Sequence, residues 1–202
     1  LNVLPRSEQK PEEGSKELKT LKEIYDFYDK NKLRFENLAS IVTGYLIKKS
    51  AKNYKAGWIT KGSGDSGIDF IGRMDIGTGF GSAKVIVLGQ AKCESLNSPT
   101  GGNHIARTVA KLKRGWLGVY VTTSYFSDNV QIEILEDKYP LLLINGKKLA
   151  EAVNEIVFEQ GYKNVAEYLK KVNSEYEGAI QYRDPEEILF EWFLFKNLGD
   201  LH

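Results

Sequence analysis

Apolar residues recur at helical spacing along two stretches near the start of the chain. Leu18, Leu21, Ile24, Tyr25 and Tyr28 predict a helix over 15–30, with Ser15 placed to cap it. Leu33, Leu38, Ile41, Val42, Tyr45 and Leu46 predict a second over 32–49. The pattern then shortens. A strand at 57–61, a Gly-rich turn GSGDSG at 62–67, a strand at 68–73, a glycine-rich connection at 75–82 and a longer strand at 83–92 read as an antiparallel meander. A loop with Pro99, Gly101 and Gly102 leads into a helix at 103–114, stopped by Gly115. The β-branched run 117–123 is a further strand, followed by a helix at 128–137, a short strand at 141–144 and a helix at 146–160. Segments 164–173 and 185–198 also read as helical. This order predicts an α/β, three-layer fold, a central mixed β-sheet flanked by helices. Residues 1–14, with two prolines and many charges, read as a flexible lead-in or linker. Residues 15–160 form the main domain, and 161–202 a C-terminal helical extension packed on it.

Length and composition agree with that picture and narrow it. The 202 residues, 42% hydrophobic and 27% charged, suit one core with extensions. No run is long enough for a membrane span, and the first residues lack the apolar centre of a signal peptide. Cys93 is alone, which predicts a reducing, cytoplasmic setting. A first residue of Leu rather than Met suggests a processed chain or part of something longer. The net charge is +1, but the charges are unevenly placed. No acid falls between Glu36 and Asp65, where Lys48, Lys49, Lys52, Lys55 and Lys61 lie, nor between Glu94 and Asp128, where Arg107, Lys111, Lys113 and Arg114 lie. A neutral total can hide a basic face.

Candidate chemistry comes from the strand period. Residues two apart on a strand share a face, so Gln90 and Lys92 stand side by side at the end of a row begun by Ile86 and Leu88. In an antiparallel hairpin the start of one strand lies beside the end of the next, which brings Asp69 to them. A carboxylate helped by a strand carbonyl suits Mg²⁺, a hard cation that favours oxygen ligands. Such an ion stabilises charge on a phosphate and lowers the pKa of a bound water. Lys92 would orient that water or stabilise the transition state. Gln90 brings an oxygen but no charge, so a second acid is wanted, and Glu36, facing inward from the second helix, is the candidate. The same residues also suit a plain turn and solvent-facing strand ends. The geometry proposes the site without establishing it.

Five blocks in order, FENL at 35–38, GDSGID at 64–69, QAK at 90–92, VTTSYFS at 121–127 and LINGKKL at 143–149, resemble those of the Mrr-type restriction endonucleases. These belong to the PD-(D/E)XK nuclease superfamily, in the variant with Gln for the second acid. The resemblance implies a restriction-endonuclease-like core, Mg²⁺ dependence with Mn²⁺ as a substitute, and double-stranded DNA as substrate. It implies Asp69 as the metal-binding acid, Gln90 and Lys92 as the QxK pair, and Glu36 as the first-helix acid. The backbone carbonyl of Ala91 joins Asp69 and Glu36 as a metal ligand, and Asp65 matches the block's first Asp as a lesser candidate. Thr122 and Ser124 match a strand-end block expected to touch the DNA backbone. Arg107, Lys111 and Arg114, on one face of the helix at 103–114, are expected at phosphates.

His104 is read as a loop or helix-start residue, Cys93 as buried and inert, and Trp58, Trp116 and Trp192 as core or interface aromatics. Tyr125 and Phe126 suit stacking on bases, and a core role suits Phe126 at least as well. The function expected is a Mg²⁺-dependent DNA endonuclease of restriction type, or the cleavage domain of a larger modification-dependent enzyme. The alternatives are a DNA-binding or assembly module without turnover and a repair or junction-resolving nuclease. Cutting both strands predicts a homodimer or higher assembly, and the Leu start with its charged, proline-containing lead-in suggests an N-terminal recognition domain or subunit.

Overall fold

The computed structural model describes residues 3–51, 53–60 and 67–190. Lys52, Lys61, Asp65 and Trp192, most of the GSGDSG turn and the end of the helix expected at 185–198 lie outside the described residues. After a four-residue helix α1 (Arg6–Gln9), helix α2 (Lys16–Tyr28) begins at Ser15, whose hydroxyl accepts the Leu18 N–H. A 3₁₀ turn leads into α3 (Phe35–Ser50). The meander follows as β1 (Tyr54–Thr60), β2 (Phe70–Ile76) and β3 (Ala83–Lys92). Then come α4 (Gly102–Val109), β4 (Leu117–Thr122), α5 (Asp128–Glu136), β5 (Leu141–Ile144), α6 (Gly146–Glu159), α7 (Val165–Ser174), α8 (Tyr176–Ala179) and β6 (Ile180–Gln181).

The six strands form one mixed sheet in the order β5-β4-β3-β2-β1-β6. The meander is antiparallel, while β3–β4, β4–β5 and β1–β6 are parallel. Helices α2, α3, α6 and α7 bury Leu21, Ile24, Phe35, Leu38, Val153 and Leu169 against one face. The other face carries two smaller clusters, one of Trp58, Ile71, Ile86, Leu88 and Ile188, the other of Ile105, Tyr120, Phe126 and Val130. The expected three-layer α/β architecture is therefore the one observed. Trp58 is a core aromatic, and no described helix is long and apolar enough to cross a membrane.

The edges of elements differ from expectation where packing decides. β1 starts at Tyr54 instead of residue 57, because the Tyr54 ring fills space left by Gly44 and Gly72. A Cβ on Gly72 would lie 2.0 Å from the Tyr54 hydroxyl. α4 ends at Val109, not at residue 114. Leu112 turns inward there, onto the cluster around Trp58 and Ile86, and Gly115 takes a positive φ of 82° before β4. Within the segment expected as a lead-in, Gln9 is buried, donating to the Phe126 carbonyl and accepting the Phe126 N–H. Residues after 160 pack on α3, where Asn37 donates to the Val172 carbonyl at 2.8 Å.

Candidate active site

The register of the meander builds the site. Phe70 pairs with Gly89, so Asp69 arrives beside the end of β3. A side chain on Gly89 would collide with the Phe70 ring, 1.9 Å from its Cβ, so glycine there permits the pairing. The Asp69 N–H donates to the Gly89 carbonyl at 2.8 Å, and its Oδ2 accepts the Ala91 N–H at 2.7 Å. These two bonds bracket Gln90 and fix the carboxylate at the strand end.

Glu36 comes from the first turn of α3 and is 8% exposed. Its carboxylate accepts a long 3.3 Å bond from the Tyr176 hydroxyl. Glu36, Asp69, Gln90, Lys92 and His104 line one open cleft of about 540 Å³. A larger cavity of about 810 Å³, lined by Leu46, Met74 and Leu141 among others, lies at the opposite end of the strands, away from these groups.

Burial pushes Asp69 up to about 6, partly offset by the Ala91 N–H. Burial pushes Glu36 up to about 8, and the Asp69 charge adds to it, against the weak Tyr176 bond. The repulsion is mutual but falls on Glu36, the later of the two to ionise, because Asp69 already carries its charge by then. Among the described residues neither carboxylate pairs with a basic side chain. No group of three His, Cys, Asp or Glu side chains suited to a metal occurs among them either. The donor set is therefore two buried, mutually repelling carboxylates beside strand-end oxygens, which fits a hard divalent cation.

Lys92 reaches into the same cleft. Its ammonium lies 3.1 Å from Glu94 Oε1 and touches His104 Nε2. Burial and the Lys92 charge hold His104 below the ordinary imidazole range. Glu94 is held in turn by the hydroxyls of Thr100, at 2.5 Å, and Thr122, at 3.3 Å. The Gln90 Oε1 accepts the hydroxyl of Thr108, a residue 1% exposed on α4.

Sequence reasoning missed Glu94, His104 and Thr108. Glu94 continues the two-residue period of Gln90 and Lys92 one step past the strand, a signal present in QAKCE. His104 and Thr108 are one helical turn apart, a spacing that gains meaning only once α4 is docked on β3.

The remaining expected residues sit elsewhere. Thr122 and Ser124 are buried, their hydroxyls directed to Glu94 and to the Ser98 carbonyl, so they brace the loop behind the site instead of facing outward. Arg107 is exposed on α4, while Lys111 and Arg114 are exposed on the turn beyond its end. These three bases therefore do not share a helix face. Cys93 points to the opposite side of the sheet, buried, with its thiol pushed up to about 11. Phe126 is buried against Tyr120, and the Arg6 guanidinium lies 4.7 Å from the Tyr125 ring centre.

Comparison with known proteins follows the same lines. The restriction endonuclease family Mrr_cat matches residues 35–153. The solved structure of the MspJI restriction endonuclease in complex with a 27-mer oligonucleotide is 45% identical with a TM-score of 0.88, over 93% of this chain and 42% of that one. The DNA modification-dependent restriction endonuclease AspBHI gives a TM-score of 0.72 at 23% identity, over 87% of this chain and 44% of that one, a likeness of fold. The chain thus spans less than half the length of either solved chain. No curated protein matches it.

Proposed function

Because this chain belongs to the Mrr-type restriction endonuclease family, we propose that it is a divalent-metal-dependent domain that hydrolyses phosphodiester bonds of double-stranded DNA. The observation that carries the reading is the meeting of Glu36, Asp69, Gln90 and Lys92, from three separate elements, in one cleft. Asp69 and Glu36, with the Ala91 backbone carbonyl, would hold Mg²⁺, or Mn²⁺ in its place. When bound, the ion supplies charge stabilisation at the scissile phosphate and a water of lowered pKa. Its positive charge would offset the repulsion between the two carboxylates. Lys92, held by Glu94, presents a charged donor toward the phosphate. Gln90 adds a neutral polar contact beside it.

Arg107, Lys111 and Arg114, exposed around the end of α4, contact DNA phosphates and supply a salt-sensitive part of binding. The nuclease unit spans 15–160, and α7 packs on it as part of the C-terminal extension. The DNA feature to be cut is selected by another domain or subunit, in keeping with the greater length of both solved neighbours. Cutting both strands takes two such sites, hence a homodimer or higher assembly on DNA.

The test is cleavage of plasmid DNA in Mg²⁺ by the wild-type chain, Asp69→Ala and Lys92→Ala, with DNA binding measured alongside. Both variants should lose cleavage and keep binding. Undiminished cleavage by either would overturn the assignment. The lack of charge on Gln90, which leaves a metal with fewer anionic ligands, favours one rival, a DNA-binding module without turnover. Duplex binding with no nicking in any divalent ion would select it.

A further inference from the structure

The end of β3 and the facing turn of α4 match in spacing. Residues two apart on a strand are separated by about 6.6 Å, and residues four apart along a helix by about 6 Å. His104 and Thr108 are four apart, Gln90 and Lys92 two apart, and the pairs meet one to one. His104 Nε2 touches the Lys92 ammonium, and the Thr108 hydroxyl reaches Gln90 Oε1. Ile105, between them in sequence, is 2% exposed and packs with Tyr120 and Phe126, which anchors α4 to the sheet at that turn.

Each contact has a direction. An ammonium only donates, so His104 Nε2 accepts, and its ring hydrogen sits on Nδ1. Glu94 Oε1 forms an ion pair with the same ammonium at 3.1 Å, and Lys92 keeps at least one N–H for the cleft. Thr108 has a single hydroxyl hydrogen. The contact with Gln90 is much shorter than its 3.4 Å approach to the His104 carbonyl, so the hydrogen goes to Gln90. That leaves the Gln90 amide nitrogen as the end turned outward.

We propose that His104 and Thr108 are positioning residues, a two-point clamp on α4 that fixes the end of Lys92 and the orientation of the Gln90 amide. The clamp rests on the nuclease reading for its purpose, but its existence can be tested without turnover. Lys92 is a long, flexible side chain, and a free ammonium would sample many rotamers instead of one aimed at the phosphate. Holding it before substrate arrives makes the catalytic geometry a property of the fold.

The experiment is lysine ¹³Cε NMR of the 202-residue chain, with the Lys92 signal assigned by its loss in Lys92→Arg. A clamped Lys92 shows two distinct ε-methylene proton shifts in the wild type, which merge in His104→Ala. Merged shifts in the wild type, or splitting that survives His104→Ala, would overturn the clamp. Kinetics provide the second arm. His104→Ala and Thr108→Val should lower kcat by up to about 100-fold with KM for DNA nearly unchanged, and Thr108→Ser, which keeps the hydroxyl, should restore most of the rate. Wild-type kcat in both variants, or a Thr108→Ser as impaired as Thr108→Val, counts against it. A split Lys92 signal in a wild type whose cleavage is undiminished by Asp69→Ala would sink the nuclease reading while leaving the clamp in place.

Discussion

Replacing Glu36 by glutamine should make the metal-free protein more stable, by an amount that grows with pH. Glu36 is almost fully buried, its one hydrogen bond is long, and Asp69 repels it. An acid whose pKa is higher in the folded than in the unfolded chain stabilises the fold fully only below the unfolded value. That stability is lost as pH climbs from an ordinary 4.5 toward about 8 in the folded protein. At 1.36 kcal/mol per pH unit the loss has an upper limit of about 5 kcal/mol. The position of Glu36 in the first turn of α3 returns only about 0.3–1 kcal/mol of this, so burial wins. Glutamine keeps the shape and never ionises. Urea unfolding of wild type and Glu36→Gln in chelator should give nearly equal stabilities near pH 5. Near pH 9 the variant should lead by at least about 1–3 kcal/mol, the usual cost of a buried polar group left unsatisfied. Mg²⁺ should then stabilise the wild type, by about 2.7 kcal/mol at a hundredfold excess over its Kd, and the variant much less. A difference independent of pH, or a variant less stable at pH 9, would refute the reasoning.

Other perturbations test separate parts of the structure. Arg107→Ala should weaken DNA binding and flatten its dependence on log salt by about 0.9 per lost phosphate contact, measured by fluorescence anisotropy over a salt series. Gly89→Ala forces a Cβ into the Phe70 ring and should cost roughly 1–3 kcal/mol in denaturant unfolding. Asp75→Ala removes the counter-charge of the buried Arg73, whose Nε lies 2.7 Å from the carboxylate and whose Nη1 keeps the Ile188 carbonyl, and should cost at most about 3–5 kcal/mol by the same assay.

The parts of the site legible in the sequence are those governed by local periodicity. Asp69, Gln90 and Lys92 follow from the alternation of β2 and β3 and the direction of their hairpin, and the pairing of Phe70 with Gly89 places them as expected. Glu36 follows from the apolar stripe of α3, whose buried side includes Phe35, Leu38 and Val42. What was not legible depends on contacts between distant segments. The end of α4 is decided by where Leu112 packs, and its partners Trp58, Ile71 and Ile86 lie far away in sequence. The hydroxyls of Thr122 and Ser124 turn inward because Glu94 and the Ser98 carbonyl are there to receive them. His104 lacks any local mark of function, since its partner Lys92 is brought to it by the docking of a helix on a strand.

The measurement that bears most directly on the central claim is cleavage of supercoiled plasmid, methylated and unmethylated, by wild type and Asp69→Asn, in Mg²⁺ and in chelator. The account predicts nicked or linear product from the wild type in Mg²⁺ on at least one of the two plasmids. It predicts none in chelator and none from Asp69→Asn. Cutting that persists in chelator, or equal cutting by Asp69→Asn, would contradict it.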